Sequence, residues 1–500
     1  MSHILPRRTS LKALLGLAVL TGCGRDGDKA DAALDIPPAF RASTSGARAA
    51  WPVEDWWKGF GSPDLNALID KARAANFDIA AAIARVRQAD AQVRVSGAAL
   101  LPVLNATVSA DWQHLGFGTG SGSTRSRGGN GGFDSRSYAV GLSASYQLDF
   151  WGRNAARRDS AIQSALFSRF DQRTVALTVV TNVANTWFTA LALSDRLAVA
   201  KRNVADGSKT LAVIRGRMAA GTASALDVAN QETLVLTQRA SLPNFQNQME
   251  QALIGLGLLT GQTPERIAVR PGTLTALALP LVSPGLPSDL LARRPDVAST
   301  EAQLTASGFD VTVARTAFYP SINLTGSAGY QAAALNALIS PAGFIASLAA
   351  GLTAPIFDGG ALRGTLDQAR GRQAELLANY RKAVVQAFTD VDDALTAWRY
   401  TSEQEKLQRV AVEAARRAAS IARQQMVAGT ADITSVLTAE NALFNAEDTL
   451  VQVRLARVQA LLNTYKALGG GWLKGERDMF PGLSPNRLEG GLALPVGGNR

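Results

Sequence analysis

Four short stretches of this chain alternate apolar with polar residues, and each pair of them is followed by a long segment almost free of helix breakers. In the first stretch Leu104, Ala106, Val108, Ala110 and Trp112 alternate with Asn105, Thr107, Ser109, Asp111 and Gln113, as a strand with one apolar and one polar face requires. The alternation returns in Tyr138, Val140, Leu142, Ala144, Tyr146, Leu148 and Phe150, set against Ser137, Gly141, Ser143, Ser145, Gln147 and Asp149. A second pair sets Ile322, Leu324, Ala328 and Tyr330 against Ser321, Asn323, Thr325, Ser327 and Gln331, followed by Phe344, Ala346, Leu348, Ala350, Leu352 and Ile356. Strands are therefore predicted at about 101–113, 137–150, 318–331 and 344–357. Between the first two, Gly116 to Gly132 is rich in Gly and Ser and reads as a mobile, exposed connection.

The segments after the strand pairs predict helices at about 153–217 and 361–427. At 1.5 Å per residue each would be on the order of 100 Å long, far beyond an ordinary globular helix. Each ends at a Gly-Thr pair that reverses the chain. The returning helices, at about 222–258 and 431–468, carry apolar residues seven apart: Val228, Val235, Leu242, Met249 and Leu256 in the first, Val436, Leu443 and Leu450 in the second, beside Leu437, Phe444, Val451, Val458 and Tyr465. Heptads of this length predict helices packed knobs into holes, although an ordinary antiparallel bundle produces the same spacing. Pro243 should bend the first returning helix without ending it.

One unit is written twice. Met218-Ala-Ala-Gly221-Thr222-Ala223 recurs as Met426-Val-Ala-Gly429-Thr430-Ala431, and Glu232 and Glu440 keep the same register. Leu101-Pro102 and the strand behind it match Tyr319-Pro320 and its strand. Two such blocks at similar offsets indicate a duplicated fold, not a solenoid of short repeats.

The amino terminus adds an address. Arg7, Arg8 and Lys12 precede the apolar run Leu11 to Leu20, which is too short to span a bilayer, and Leu20-Thr21-Gly22-Cys23 follows in lipobox register. The expectation is a lipoprotein signal peptide cleaved before Cys23, with Cys23 lipidated. Arg7-Arg8-Thr9-Ser10-Leu11-Lys12 also resembles a twin-arginine signal. Gly24 is not the aspartate associated with inner-membrane retention, so transport to the outer membrane is expected.

With Cys23 the only cysteine and His114 the only histidine beyond the signal, disulfides, thiolate chemistry and the usual metal sites lack their ligands, so no metal or other cofactor is expected apart from the covalent lipid. Behind the signal, 48 basic side chains face 41 acidic ones without a basic cluster interleaved with aromatics, which argues against nucleic acid as partner. No Walker loop, Gly-x-Ser-x-Gly elbow or His-Glu-x-x-His helix is present, and Gly207-Ser208-Lys209-Thr210 lacks the glycine and strand a phosphate loop needs. An enzyme is not expected. No further apolar helix of spanning length is evident, so crossing a membrane falls to strands. Four strands cannot close, since the smallest membrane barrels have eight. Three copies give twelve, with apolar side chains toward lipid, polar ones toward the lumen, and the long helices gathered into a second cylinder.

The lipobox, the duplicated plan, Gly285-Leu-Pro-Ser-Asp-Leu-Leu291, Arg293-Arg294-Pro295-Asp296-Val297 and Tyr319-Pro320-Ser-Ile-Asn-Leu-Thr-Gly-Ser resemble the TolC-like outer membrane factor family, particularly its NodT and OprM type of efflux lipoprotein, from about Trp56 to Trp472. The resemblance implies a mainly α chain with a transmembrane β-barrel: a homotrimer whose 12-stranded barrel continues into a long periplasmic α-helical barrel. It implies a passive exit duct for small molecules or drugs, delivered by an inner-membrane RND-type pump through a periplasmic adaptor. The outlet of a type I protein secretion system is the alternative, and an adhesin or structural lipoprotein is a more distant one. The chain would divide into signal (1–22), lipidated linker (23–50), first repeat (51–258), equatorial connection (259–292), second repeat (293–468) and equatorial end with tail (469–500).

By the same resemblance the reversals at Gly221, Thr222, Gly429 and Thr430 are periplasmic tips that meet the adaptor, and Asp227 stands at a position acidic in TolC-like members, where it helps hold a closed state. At the second tip Ser435 and Thr438 occupy positions where those members place acidic gate residues, and Asp432 is the nearest carboxylate. Gly221 and Gly429 could equally be left-handed helix stops, and Asp227 could simply favour a helix start.

Overall fold

Strand alternation and unbroken helical segments translate into an element order in which each half repeats the other. In the computed structural model the described residues are 40–41, 51–115, 133–267, 271–280 and 287–472. The lipobox with Cys23, nearly all of the linker, the connection 116–132 and the tail beyond 472 lie outside them. In chain order the first half contains α1 (Pro63–Ala75), α2 (Phe77–Ala98), β1 (Val103–Leu115), β2 (Phe133–Leu148), α3 (Arg153–Ala219) and α4 (Ala225–Leu259). After the short α5 (Pro287–Leu291), the second half contains α6 (Pro295–Thr316), β3 (Ser321–Ala332), β4 (Phe344–Thr353), α7 (Ala361–Val427) and α8 (Ile433–Ala467).

The duplication holds residue by residue. Phe77–Ala98 and Pro295–Thr316 are offset by 218, as are the partners Leu104↔Ala144 and Ile322↔Leu352 on their first strands. From the second strand of each hairpin onward the offset is 208, through both long helices and both returns. The ten extra residues of the first half thus fall beyond its Trp112↔Arg136 pair, the equivalent of Tyr330↔Phe344, and part of them lengthen the ladder out to Leu115↔Phe133.

Two compact units divide the chain. One, Ala89–Ala165 with Gln303–Leu377, holds the antiparallel sheet in the order β1-β2-β3-β4. Among the described residues both outer strands are hydrogen-bonded on one side only. The other unit comprises Leu166–Ala302 with the described parts of Ala32–Gln88 and Ala378–Arg500. Its main core joins Trp56, Phe60, Ile69, Trp187, Phe188 and Tyr465. Trp56 stacks on Tyr465 at 4.8 Å, and Phe60 packs on Phe188 at 5.0 Å.

Helix starts and stops follow local chemistry. The Asp149 carboxylate accepts the N–H groups of Asn154 (2.9 Å) and Ala155 (2.8 Å), satisfying donors that open α3. Asp358 does the same for α7 through Gly360 (3.0 Å) and Leu362 (2.7 Å). Pro243 lies inside α4, which continues past it to Leu259. The expectation that no helix behind the signal is apolar enough to span a membrane needs correction, because one stretch of α3 is long and apolar enough by composition. It is 56% buried, and Val179, Val183, Trp187 and Phe188 spend that apolarity on the protein core. Gly207-Ser208-Lys209-Thr210 lies within α3, where no phosphate-cradling loop exists.

Candidate functional site

The ladder registers put every alternating apolar set on one face. Val108 lies opposite Val140, Val140 opposite Tyr330, and Tyr330 opposite Phe344, so one side of all four strands is apolar. Among the described residues nothing covers this face: Val108 is 80% exposed, Leu348 87% and Trp112 64%. A soluble monomer rarely leaves so continuous an apolar surface to water, whereas lipid would solvate it. The opposite face carries Asn105, Thr107, Ser143, Asn323, Thr325 and Ser347 among others, a surface able to line a water-filled lumen. Cross-strand hydrogen bonds order it: Ser327 and Ser347 hydroxyls lie 2.8 Å apart, and Gln331 Nε2 donates to Ser137 Oγ at 2.9 Å.

Both helix reversals are built alike. Gly221 has φ +78° and Gly429 +74°, left-handed conformations that a side chain disfavours. Around Gly221, its N–H bonds to the Met218 carbonyl (2.9 Å) and the Thr222 N–H to that of Arg217 (2.8 Å). The same two bonds recur at Gly429 to Met426 (3.1 Å) and Thr430 to Gln425 (2.9 Å). This is the Schellman pattern, which satisfies the last carbonyls of α3 and α7. Thr222 and Thr430 add their hydroxyls to the same carbonyls, at 3.1 and 3.2 Å.

The helices that follow are capped differently. Ser224 and Asp227 form a reciprocal capping box, with Ser224 N–H donating to the Asp227 carboxylate (2.8 Å) and Asp227 N–H to Ser224 Oγ (3.1 Å). Asp227 therefore has a local structural task. At the second tip the residue types are exchanged: Asp432 caps without a side-chain hydrogen bond, and the Ser435 N–H meets its carbonyl at 3.1 Å. Asp432, Ser435 and Thr438 share one exposed face of the turn and helix start, with the Thr438 hydroxyl donating to the Thr434 carbonyl.

Behind the tips lies a polar cluster that pattern reading missed. Glu440, 3% exposed, accepts from Thr210 Oγ1 (2.8 Å), Gln231 Nε2 (3.2 Å) and Arg423 Nε (2.9 Å), joining α3, α4, α7 and α8. Its repeat counterpart, Arg215 with Glu232, is an exposed pair at 3.3 Å. The offset of 208 relates the two arginines to each other and the two glutamates to each other, but it does not join an arginine to a glutamate. Arg217 reaches across to the Met426 carbonyl at 2.5 Å, and Ile214, Met426, Ile433 and Val436 pack beneath the turns. Farther along, Glu405 gathers Arg409, Arg454 and Arg457. Burial alone would push its carboxyl up, but hydrogen bonds from the three arginines, Arg457 foremost, hold it down at about 2.

Known proteins agree with this architecture. Residues 68–262 and 286–470 match the model of the outer membrane efflux protein family, one match for each repeat. The pyoverdine export outer membrane protein OpmQ of Pseudomonas aeruginosa is 39% identical, over 93% of this chain and 97% of its own length. The cation efflux system protein CusC of Escherichia coli is 29% identical over 91% and 96%. Among solved structures, the outer-membrane channel OprN superposes with a TM-score of 0.83 at 26% identity, covering 89% of this chain and 99% of that one. An exposed apolar sheet face, a polar face behind it, and paired helix reversals are thus set in the fold of outer membrane channels reaching into the periplasm, and the chain belongs to the outer membrane efflux protein family.

Proposed function

We propose that this efflux channel works as a homotrimer, the exit duct of a tripartite system that takes small molecules from an inner-membrane RND-type pump through a periplasmic adaptor. The observation carrying this reading is the sheet: four strands, one continuous apolar face and two free edges. A sheet of that kind is stable in a membrane only when closed, and three copies supply twelve strands. The names of relatives, pyoverdine export for OpmQ and cation efflux for CusC, favour small cargo over protein. The duct carries out no bond-making chemistry and needs no resident metal or organic cofactor. Its Cys23 is lipidated in the outer membrane, and the reversals at Gly221-Thr222 and Gly429-Thr430 receive the adaptor, with Asp227, Asp432, Ser435 and Thr438 beside the aperture.

Two measurements test it together. Light scattering on detergent-extracted protein should give about three copies. Planar bilayers exposed to that material should show discrete conductance steps. A monodisperse stable monomer, or trimers that never conduct, would overturn the reading.

A further inference from the structure

The start of α3, just beyond the end of β2 at Leu148, carries charges that the fold itself does not ask for. Arg153 and Arg157 stand four residues apart there, and the first turn contains no acidic residue. Cations at a helix start oppose the macrodipole, and like charges at this spacing repel. Burial, and then the charge of Arg157, pull the Arg153 guanidinium below its ordinary pKa. Among the described residues Arg153 Nε is buried without a hydrogen-bond partner. The neighbouring acids are engaged: Asp149 caps the helix, and Asp159 pairs with Arg158 at 2.8 Å. By the offset of 208, α7 has Ala361 and Thr365 at the equivalent positions, so the second repeat builds the same helix start from neutral side chains.

Arg157 lines a cavity of about 390 Å³ with Gln92 and Ser96 of α2, Ser160 and Ser164 of α3, and Asp310 of α6. Asp310 is the acid of this wall, and its carboxylate accepts Ser160 Oγ at 2.6 Å. From Arg157 the same face of α3 continues in seven-residue steps through Ser164, Asp171, Thr178 and Asn185, all polar. That spacing keeps to one side of a helix packed in a supercoiled wall. Val179, Val183 and Trp187 lie off the stripe and fill the core. Asp171 on the stripe faces Arg85 at 4.0 Å. Resting on the trimeric duct proposed above, we propose that this stripe lines the lumen, and that Arg153 and Arg157 of the three copies form a guanidinium collar at the foot of the strands that favours cargo bearing carboxylate groups.

In each copy the two guanidinium groups outnumber the Asp310 carboxylate, so the collar has an excess of positive charge. A passage lined by one sign of charge concentrates the opposite ion, and the planar guanidinium fork meets both oxygens of a carboxylate. Beyond the collar the polar face of the strands is nearly uncharged: among the described residues its one ionisable side chain is Asp111. An anion gathered at the arginines therefore moves on into a lumen of Ser, Thr, Asn and Gln that offers no second cation to hold it. Binding strong enough for entry and confined to one level is what conduction requires.

Planar bilayers holding the purified trimer under a potassium chloride gradient read the collar, with citrate as the probe. Arg153→Gln/Arg157→Gln should move the reversal potential toward the potassium limit and raise the citrate concentration that halves the current by at least about fivefold. Arg153→Lys/Arg157→Lys keeps the charge and should keep the wild-type reversal potential, yet need at least about twofold more citrate, because an ammonium lacks the fork. Asp310→Asn should act in the opposite sense, lowering the half-blocking citrate concentration at least about twofold. Wild-type potential and citrate block in both the glutamine variant and Asp310→Asn would take the arginines out of the lumen and overturn the proposal. A shifted potential with unchanged citrate block would overturn the carboxylate cargo. If the glutamine variant does not scatter as a trimer, Asp310→Asn decides, and unchanged block there overturns the collar. A wild-type trimer that never conducts overturns the duct itself instead.

Discussion

Replacing Glu405 with glutamine should weaken the chain at neutral pH and hardly at all at pH 2. The carboxylate is 2% exposed and accepts from Arg409 and Arg454 through one oxygen and from Arg457 (2.8 Å) through the other. Arg457 also lies over the Trp398 ring, 4.8 Å from its centroid. The folded carboxyl titrates at about 2 against an ordinary value of 4.5. A difference of that size corresponds to about 3 kcal/mol. Because the folded value lies below the unfolded one, this contribution is complete above about pH 4.5 and is lost as pH falls toward 2. Glu405→Gln removes the charge and keeps the shape, leaving three guanidinium groups around a neutral amide, so the loss at pH 7 should reach about 3 kcal/mol. Unfolding entropy per residue makes that a drop of about 3 °C in melting temperature for a chain of this size. Scanning calorimetry of detergent-solubilised wild type and variant at pH 7, 4 and 2.5 follows the gap. Other carboxylates titrate in both proteins and cancel in the difference. A gap of equal size at pH 7 and pH 2.5, or none at pH 7, would refute the electrostatic account.

What was legible in the sequence is what has a short period. Alternation by two fixed the strand faces, because Leu104 through Trp112 can point to only one side, and the registers keep that side common to all four strands. Ends were less legible, since caps and turns use residues that pattern alone assigns to the element. The strand read as reaching Phe150 stops at Leu148, where Asp149 turns its carboxylate to cap α3. The strand read as reaching 357 stops at Thr353, ahead of Pro355, which has no N–H to give a ladder. The returning helices begin at Ala225 and Ile433 because the residues before them complete Schellman turns and caps. The buried charges were hidden for another reason: Thr210 and Glu440 are 230 residues apart, and the bidentate Arg196–Asp448 pair spans 252. No local period connects such partners, and the equivalent Arg215–Glu232 pair is exposed where Arg423–Glu440 is buried, so even the repeat does not predict the burial.

Three further outcomes are expected. Arg294, 8% exposed, gives its guanidinium to both Asp296 oxygens, to Asp390 and to the Ala387 and Ala467 carbonyls, so Arg294→Lys should cost about 2–3 kcal/mol in denaturant unfolding; a loss below 0.5 kcal/mol would mean that the fork is dispensable. Cys23→Ser should abolish incorporation of a fatty-acid probe, and continued labelling would remove the lipobox reading. At the tips, Gly221→Ala and Gly429→Ala should each cost about 1 kcal/mol, because φ values of +78° and +74° penalise a Cβ although neither meets another atom within 4 Å. That open surrounding makes the larger variants Gly221→Trp and Gly429→Trp informative, since an indole there projects into space instead of disrupting a core. If the adaptor seats on these turns, export measured as substrate efflux from whole cells should fall at least tenfold while trimer yield and outer membrane location stay within a factor of two. Loss of the trimer in parallel would reduce both glycines to helix stops, and undiminished export with both indoles in place would remove the reversals from adaptor docking.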